Sequence, residues 1–211
     1  MTLINMKKKE IQAKIVYYGP GRGGKTTNLR SIFEKIGKKY NTNMVEIKTE
    51  GDRTLFFDFL PFNVGKLNGF DVRMQLYTVP GQVKYDATRR LVLNGADGVV
   101  FVADSIDIRR KQNIESIKNL HQNLKTYNRT ILDIPLVLQY NKRDLAEQGT
   151  PLASVETLEK DLNSQLKVPS FEASAVTGHN VIPTLEKIIA LTMNCIKQEM
   201  KGASGRKSQN E

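Results

Sequence analysis

A chain of 211 residues is long enough for one domain with a well-buried core and short for two. Hydrophobic residues are 39% of it and charged residues 26%, an ordinary globular balance whose longest apolar runs fall far short of a bilayer span. The single cysteine, Cys195, excludes an internal disulfide framework and a cysteine-rich metal site, and it fits a reducing compartment.

In chain order, Ile11, Ala13 and Ile15 alternate and Val16-Tyr17-Tyr18 runs into Gly19, as a strand ending in a turn does. Leu29, Ile32, Phe33 and Ile36 follow at helical spacing, stopped by Gly37 and Lys38-Lys39. An apolar stretch from Leu55 to Val64 and the strict alternation of Phe70–Tyr77 flank Asn68-Gly69, a strong two-residue hairpin signal. Gly98–Asp104 and Pro135–Tyr140 are short continuous apolar runs, typical of strands buried on both faces. Helical periodicity follows in Ile114, Ile117, Leu120 and Leu124, in Val155, Leu158 and Leu162, and in Leu185, Ile188, Ile189, Thr192 and Ile196. A last short strand fits 168–172. The expected fold is α/β: a mostly parallel sheet made mixed by one antiparallel hairpin, with helices on both faces. Residues 1–200 read as a single domain. Residues 201–211 read as a flexible polar tail, and the first residues as mobile too.

The net charge of +10 raises nucleic acid or a membrane surface as partners. The lysines, however, occur in nearly every segment and no basic run interleaves with aromatics. Nucleic acid is therefore not an expected partner, and weak attraction to acidic lipids or proteins is the better expectation. Thr2 stands where myristoylation wants glycine, the tail holds no cysteine to prenylate, and no signal-peptide pattern follows the first lysines. The expectation is a cytoplasmic protein with no transmembrane segment or lipid anchor.

Ligands of open α/β sheets bind beyond the carboxyl ends of the strands. The first such junction reads Gly19-Pro20-Gly21-Arg22-Gly23-Gly24-Lys25-Thr26, a full match to G-x-x-x-x-G-K-[ST] placed between a strand and a helix. Its glycines let several N–H groups point at one phosphate chain at the start of the helix. Lys25 would reach the outer phosphates and the Thr26 hydroxyl would ligate Mg2+, with Thr27 following. A second junction ends in Asn141-Lys142-Arg143-Asp144. A carboxylate accepts hydrogen bonds, so Asp144 suits the N–H groups of guanine and repels the acceptor edge of adenine. A third carries Ser174-Ala175, where a backbone N–H could meet the guanine oxygen.

These motifs, in this order at three strand ends, resemble the Ras-like small GTPases over about residues 11–198. The resemblance implies a P-loop GTPase fold that binds GTP or GDP with Mg2+. That family usually carries Asp-x-x-Gly-Gln after its third strand. Thr78-Val79-Pro80-Gly81-Gln82 keeps the glycine, whose N–H would meet the γ-phosphate, and the glutamine, which would orient water. Thr78 replaces the aspartate, and Asp58 is the nearest residue in sequence to compensate. Together with Gly-Pro-Gly-x-x-Gly-Lys-Thr-Thr-Asn and Asp52-Arg53-Thr54-Leu-Phe-Phe-Asp-Phe-Leu-Pro61, this looks like the MglA family of prokaryotic small GTPases.

The MglA resemblance implies control of cell polarity and motility, recruitment to a cell pole in the GTP state, and an MglB-like regulator of the Roadblock type. It makes Thr54 a magnesium and γ-phosphate sensor and Arg53 a candidate cis arginine finger, with Gln82 as its catalytic companion. The weakly patterned segment Leu55–Leu60 can bury either face, which fits a strand whose register shifts with nucleotide or one buried on both sides.

Overall fold

The computed structural model describes residues 3–37, 44–46, 58–81 and 85–207. Among the described residues eight strands form one sheet: β1 (Leu3–Asn5), β2 (Glu10–Tyr18), β3 (Val45–Glu46), β4 (Asp58–Leu67), β5 (Phe70–Thr78), β6 (Gly98–Asp104), β7 (Leu136–Asn141) and β8 (Ser170–Glu172). Five described α-helices surround it: α1 (Lys25–Ile32), α2 (Asp86–Leu93), α3 (Arg110–Lys125), α4 (Val155–Leu162) and α5 (Val181–Lys207).

The sheet order is β3-β4-β5-β2-β6-β7-β8, with β1 beside the start of β2. β5, β2, β6, β7 and β8 are parallel neighbours. The β4–β5 hairpin is antiparallel, as its pattern predicts. Asn68 and Gly69 both take positive φ, +50° and +82°, as a two-residue turn between twisted strands requires. β1 and β3 add two further antiparallel pairings. A register shift between Asn63 and Gly65 interrupts β4. Residues 55–57 lie outside the described residues.

Alternation along the central strands divides the core in two. Val16 and Tyr18 of β2, with Val99, Phe101 and Ala103 of β6, pack against α2, α3 and α4 through Val92, Leu120 and Leu158. Ile11, Ala13, Ile15 and Tyr17, with Val100 and Val102, face α1 and α5 through Leu29, Leu185 and Ile188. β6 is buried at all seven positions, which explains its unbroken apolar run. Gly98 opens β6 directly against Thr192 and Ile188, where a side chain would collide with α5.

At the amino end β1 pairs with Glu10, Ile11 and Gln12 of β2. At the carboxyl end α5 continues as far as Lys207. α2, like β1 and β3, is an element that the sequence pattern did not suggest. Its buried side includes an arginine.

Candidate nucleotide-binding site

The carboxyl ends of β2, β5, β6, β7 and β8 converge on one side of the molecule, and the predicted motifs sit there. Gly19 leaves β2 at φ +140°, and a Cβ on it would strike the Val102 carbonyl. Gly24 takes φ +97° at the head of α1, where a Cβ would strike the Asn141 amide. Only glycine fits either position. No side chain caps α1, so its first N–H groups face the loop, a ready anion cradle. Lys25 is buried and its ammonium donates to the carbonyls of Gly19 (3.1 Å) and Pro20 (2.7 Å), lying along the loop it is expected to serve. Thr26 and Thr27 are half-buried beside it, Gly21 and Gly23 complete the curve, and Arg22 at φ +63° is exposed.

Asn141 connects this loop to the other two. Its Nδ2 donates to the Gly23 carbonyl at 2.8 Å, and its Oδ1 accepts the Ala175 N–H at 2.8 Å. Lys142, at φ +72°, turns the chain out of β7 and donates to Asp104 Oδ2 at 2.7 Å. The Arg143 N–H reaches the Ala173 carbonyl at 3.0 Å, which sets Asp144, half-buried, next to the Ser174-Ala175 loop. The Ser174 N–H donates to the His179 carbonyl at 3.1 Å. A base oxygen at this loop would therefore share the Ala175 donor with Asn141.

Gly81 packs directly on Gly21, so the third motif touches the first. Thr78 is buried at the end of β5. Asp58 opens β4, and its side chain lies outside what the structure describes. Arg53, Thr54 and Gln82 also lie outside the described residues.

Three residues that the motifs did not flag hold this end together. Asp104, 1% exposed, closes β6 and carries both Lys142 and Arg109, whose Nε lies 3.7 Å from its Oδ2. Arg109 also donates to the Gly21 carbonyl at 2.8 Å. Arg89 of α2 is fully buried, donating to the carbonyls of Pro80 (2.8 Å) and Gly81 (2.6 Å) and to Asn119 Oδ1 (2.6 Å) over the face of Tyr18. A cavity of about 290 Å³ lies between them, lined by Pro20, Gly21, Gly81, Arg89 and Arg109 with part of α3. Asp104 was findable in sequence as the charged end of an apolar strand; Arg89 gave no such signal.

Among the described residues no group of three or more His, Cys, Asp or Glu could hold a metal ion. A hard cation here would depend on the Thr26 hydroxyl and on phosphate oxygens, which suits magnesium, an ion that keeps most of its waters.

The sequence model of the Ras family matches residues 14–194. The chain belongs to the Ras family. It is 48% identical over 198 residues to the mutual gliding-motility protein MglA of Myxococcus xanthus, spanning 94% of this chain and 99% of that protein. More distant relatives include the human Ras-related protein Rab-27B, 27% identical with 88% and 81% of the two chains covered. The yeast Ras-related protein SEC4 of Saccharomyces cerevisiae is 29% identical, over 88% and 78%. Within the Ras-like small GTPases the chain is therefore a member of the MglA family. Binding of guanine nucleotide follows from that membership. No described helix is long and apolar enough to cross a membrane.

Proposed function

We propose that this protein is a molecular switch that binds GTP with magnesium, hydrolyses it to GDP and controls cell polarity and motility through partners that read the GTP-bound form. One observation carries the reading. The Asn141 side chain bridges the Gly23 carbonyl and the Ala175 amide, making phosphate loop, base strand and last loop one continuous wall. A nucleotide laid along it would place phosphates on the amides of 19–26 and a purine between Asp144 and Ala175. Lys25 would exchange its loop carbonyls for phosphate oxygens, gaining charge-assisted bonds. Thr26 and Thr54 would hold magnesium, which would supply positive charge to the phosphates. The Gly81 N–H would sense the γ-phosphate, Gln82 would orient water, and Arg53 would stabilise charge developing on the phosphoryl oxygens. An MglB-like Roadblock-type protein is the regulator that the MglA resemblance implies, and a pole of the cell the place of recruitment.

Asp144→Asn should lose affinity for GTP, by about 10⁴-fold where buried groups are left unmet, and gain affinity for xanthosine triphosphate. Equal wild-type binding of ATP and GTP would overturn the base assignment. The buried Thr78, where relatives of the Ras type carry aspartate, favours a second reading, a GTP-binding scaffold with negligible hydrolysis. Single-turnover release of γ-phosphate, with and without a Roadblock-type regulator, separates the two.

A further inference from the structure

The amino ends of the parallel strands, opposite the nucleotide loops, carry a built feature that the switch does not use. β1 is exposed at every residue yet fixed by pairing of Leu3 with Gln12, Ile4 with Ile11 and Asn5 with Glu10. The Lys8 N–H closes the turn onto Asn5 Oδ1 at 3.0 Å, and the Lys9 carbonyl accepts the Asp71 N–H of β5 at 2.8 Å. This hairpin displays Leu3 at 69% exposure, Ile4 at 41% and Met6 at 72%. Lys7, Lys8 and Lys9, all exposed, follow directly.

Isolated exposed apolar side chains are ordinary, but three within four residues, two on β1 and one at the start of the turn, give this hairpin an apolar tip on both faces. Its charge is one-sided. Glu10 is engaged by Arg73 at 3.1 Å and by Gln12 at 2.7 Å, and Asp71 lies 4.0 Å from Lys66. α5 passes Gly98 at Thr192, so its later turns run beyond this end of the sheet and bring exposed Lys197 and Lys201, with Glu199 between them.

Leu3 and Ile4 point to opposite faces of a strand. A fluid interface takes both faces at once, while adjacent lysines meet phosphate headgroups. We propose that the β1 hairpin is a wedge that docks this protein on an anionic lipid surface, leaving the nucleotide loops turned away from the bilayer. Docking is then independent of nucleotide, and it stands or falls separately from the switch reading.

The test is sedimentation of the full chain with vesicles of phosphatidylcholine alone or with phosphatidylglycerol added. Binding should be about tenfold or more stronger to the anionic vesicles, equal in GDP and GTP-analogue forms, and weakened by salt. Leu3→Ser with Ile4→Ser and Met6→Ser, and separately Lys7→Glu with Lys8→Glu and Lys9→Glu, should each lower it by about tenfold or more while guanine-nucleotide binding persists. Met6→Trp, a turn substitution that spares the core, should shift its fluorescence to the blue on anionic vesicles only. Indifference to lipid charge, unchanged binding in both triple variants, or an unshifted Met6→Trp spectrum would overturn the proposal. So would vesicle-free self-association abolished by the serine variant, which would make a second copy the occupant.

Discussion

Gly81 lies on Gly21 so closely that a Cβ on Gly81 would meet the Gly21 Cα and come within 2.5 Å of its nitrogen. Retreat is blocked on the other side, where Arg89 holds the carbonyls of Pro80 and Gly81. Gly81→Ala must therefore displace a braced segment, and overpacking of this kind costs ~1–3 kcal/mol. If the γ-phosphate draws Gly81 inward, the cost falls on the GTP form. The expected result is a loss of about ten- to a hundredfold in affinity for a GTP analogue with GDP affinity little changed, read by nucleotide competition. An equal loss for both nucleotides would assign Gly81 to packing alone.

Asn141→Ala removes the partner of a buried carbonyl and a buried amide together. Each group left unsatisfied costs ~1–3 kcal/mol. Thermal unfolding should show a lower midpoint even without added nucleotide, and affinities for GDP and GTP should fall in parallel. This contrasts with Asp144→Asn, which changes base preference and leaves the loops joined. A wild-type melting curve for Asn141→Ala would mean that the loops are held by other contacts.

Hydrolysis should be separable from binding. Arg53→Ala and Gln82→Leu should each leave GTP binding nearly intact and suppress phosphate release, the arginine by about 10³-fold or more. A regulator that orders the chain's own Arg53 and Gln82 needs no arginine of its own. Stimulated turnover is measured for both variants and with a regulator stripped of interface arginines. Full stimulation of Arg53→Ala would place the finger elsewhere.

Alkaline pH should unfold the protein through its phenols. Burial pushes the hydroxyls of Tyr17 and Tyr18 above the ordinary range, and Tyr140 is raised first by burial and then by the Glu159 carboxylate at 2.9 Å. With folded pKa values above the unfolded value of about 10, their contribution to stability is whole below that pH and falls as pH rises through it. Near-ultraviolet phenolate absorbance should rise for these groups only as helical circular dichroism collapses. Smooth titration of all phenols in a folded protein would contradict their burial.

What the chain reveals on its own is what short range encodes. Gly19–Thr26 and Asn141–Asp144 each need a strand end and a few residue types at fixed offsets, and Asn68-Gly69 needs only local backbone freedom. Strand periodicity also predicted which faces the sheet buries. Tertiary structure alone decided which charges meet. Asp104 finds Lys142 across 38 residues, Arg109 finds Gly21 across 88, and Asn141 finds Gly23 across 118. Nothing in the local sequence marks Arg89, whose guanidinium the fold brings onto the carbonyls of Pro80 and Gly81. β1 escaped notice because three residues carry too little pattern to mark a strand; their partner in β2 supplies the hydrogen bonds. Local propensity acts through neighbours in the chain, whereas burying a charge depends on partners that only the folded topology brings within reach.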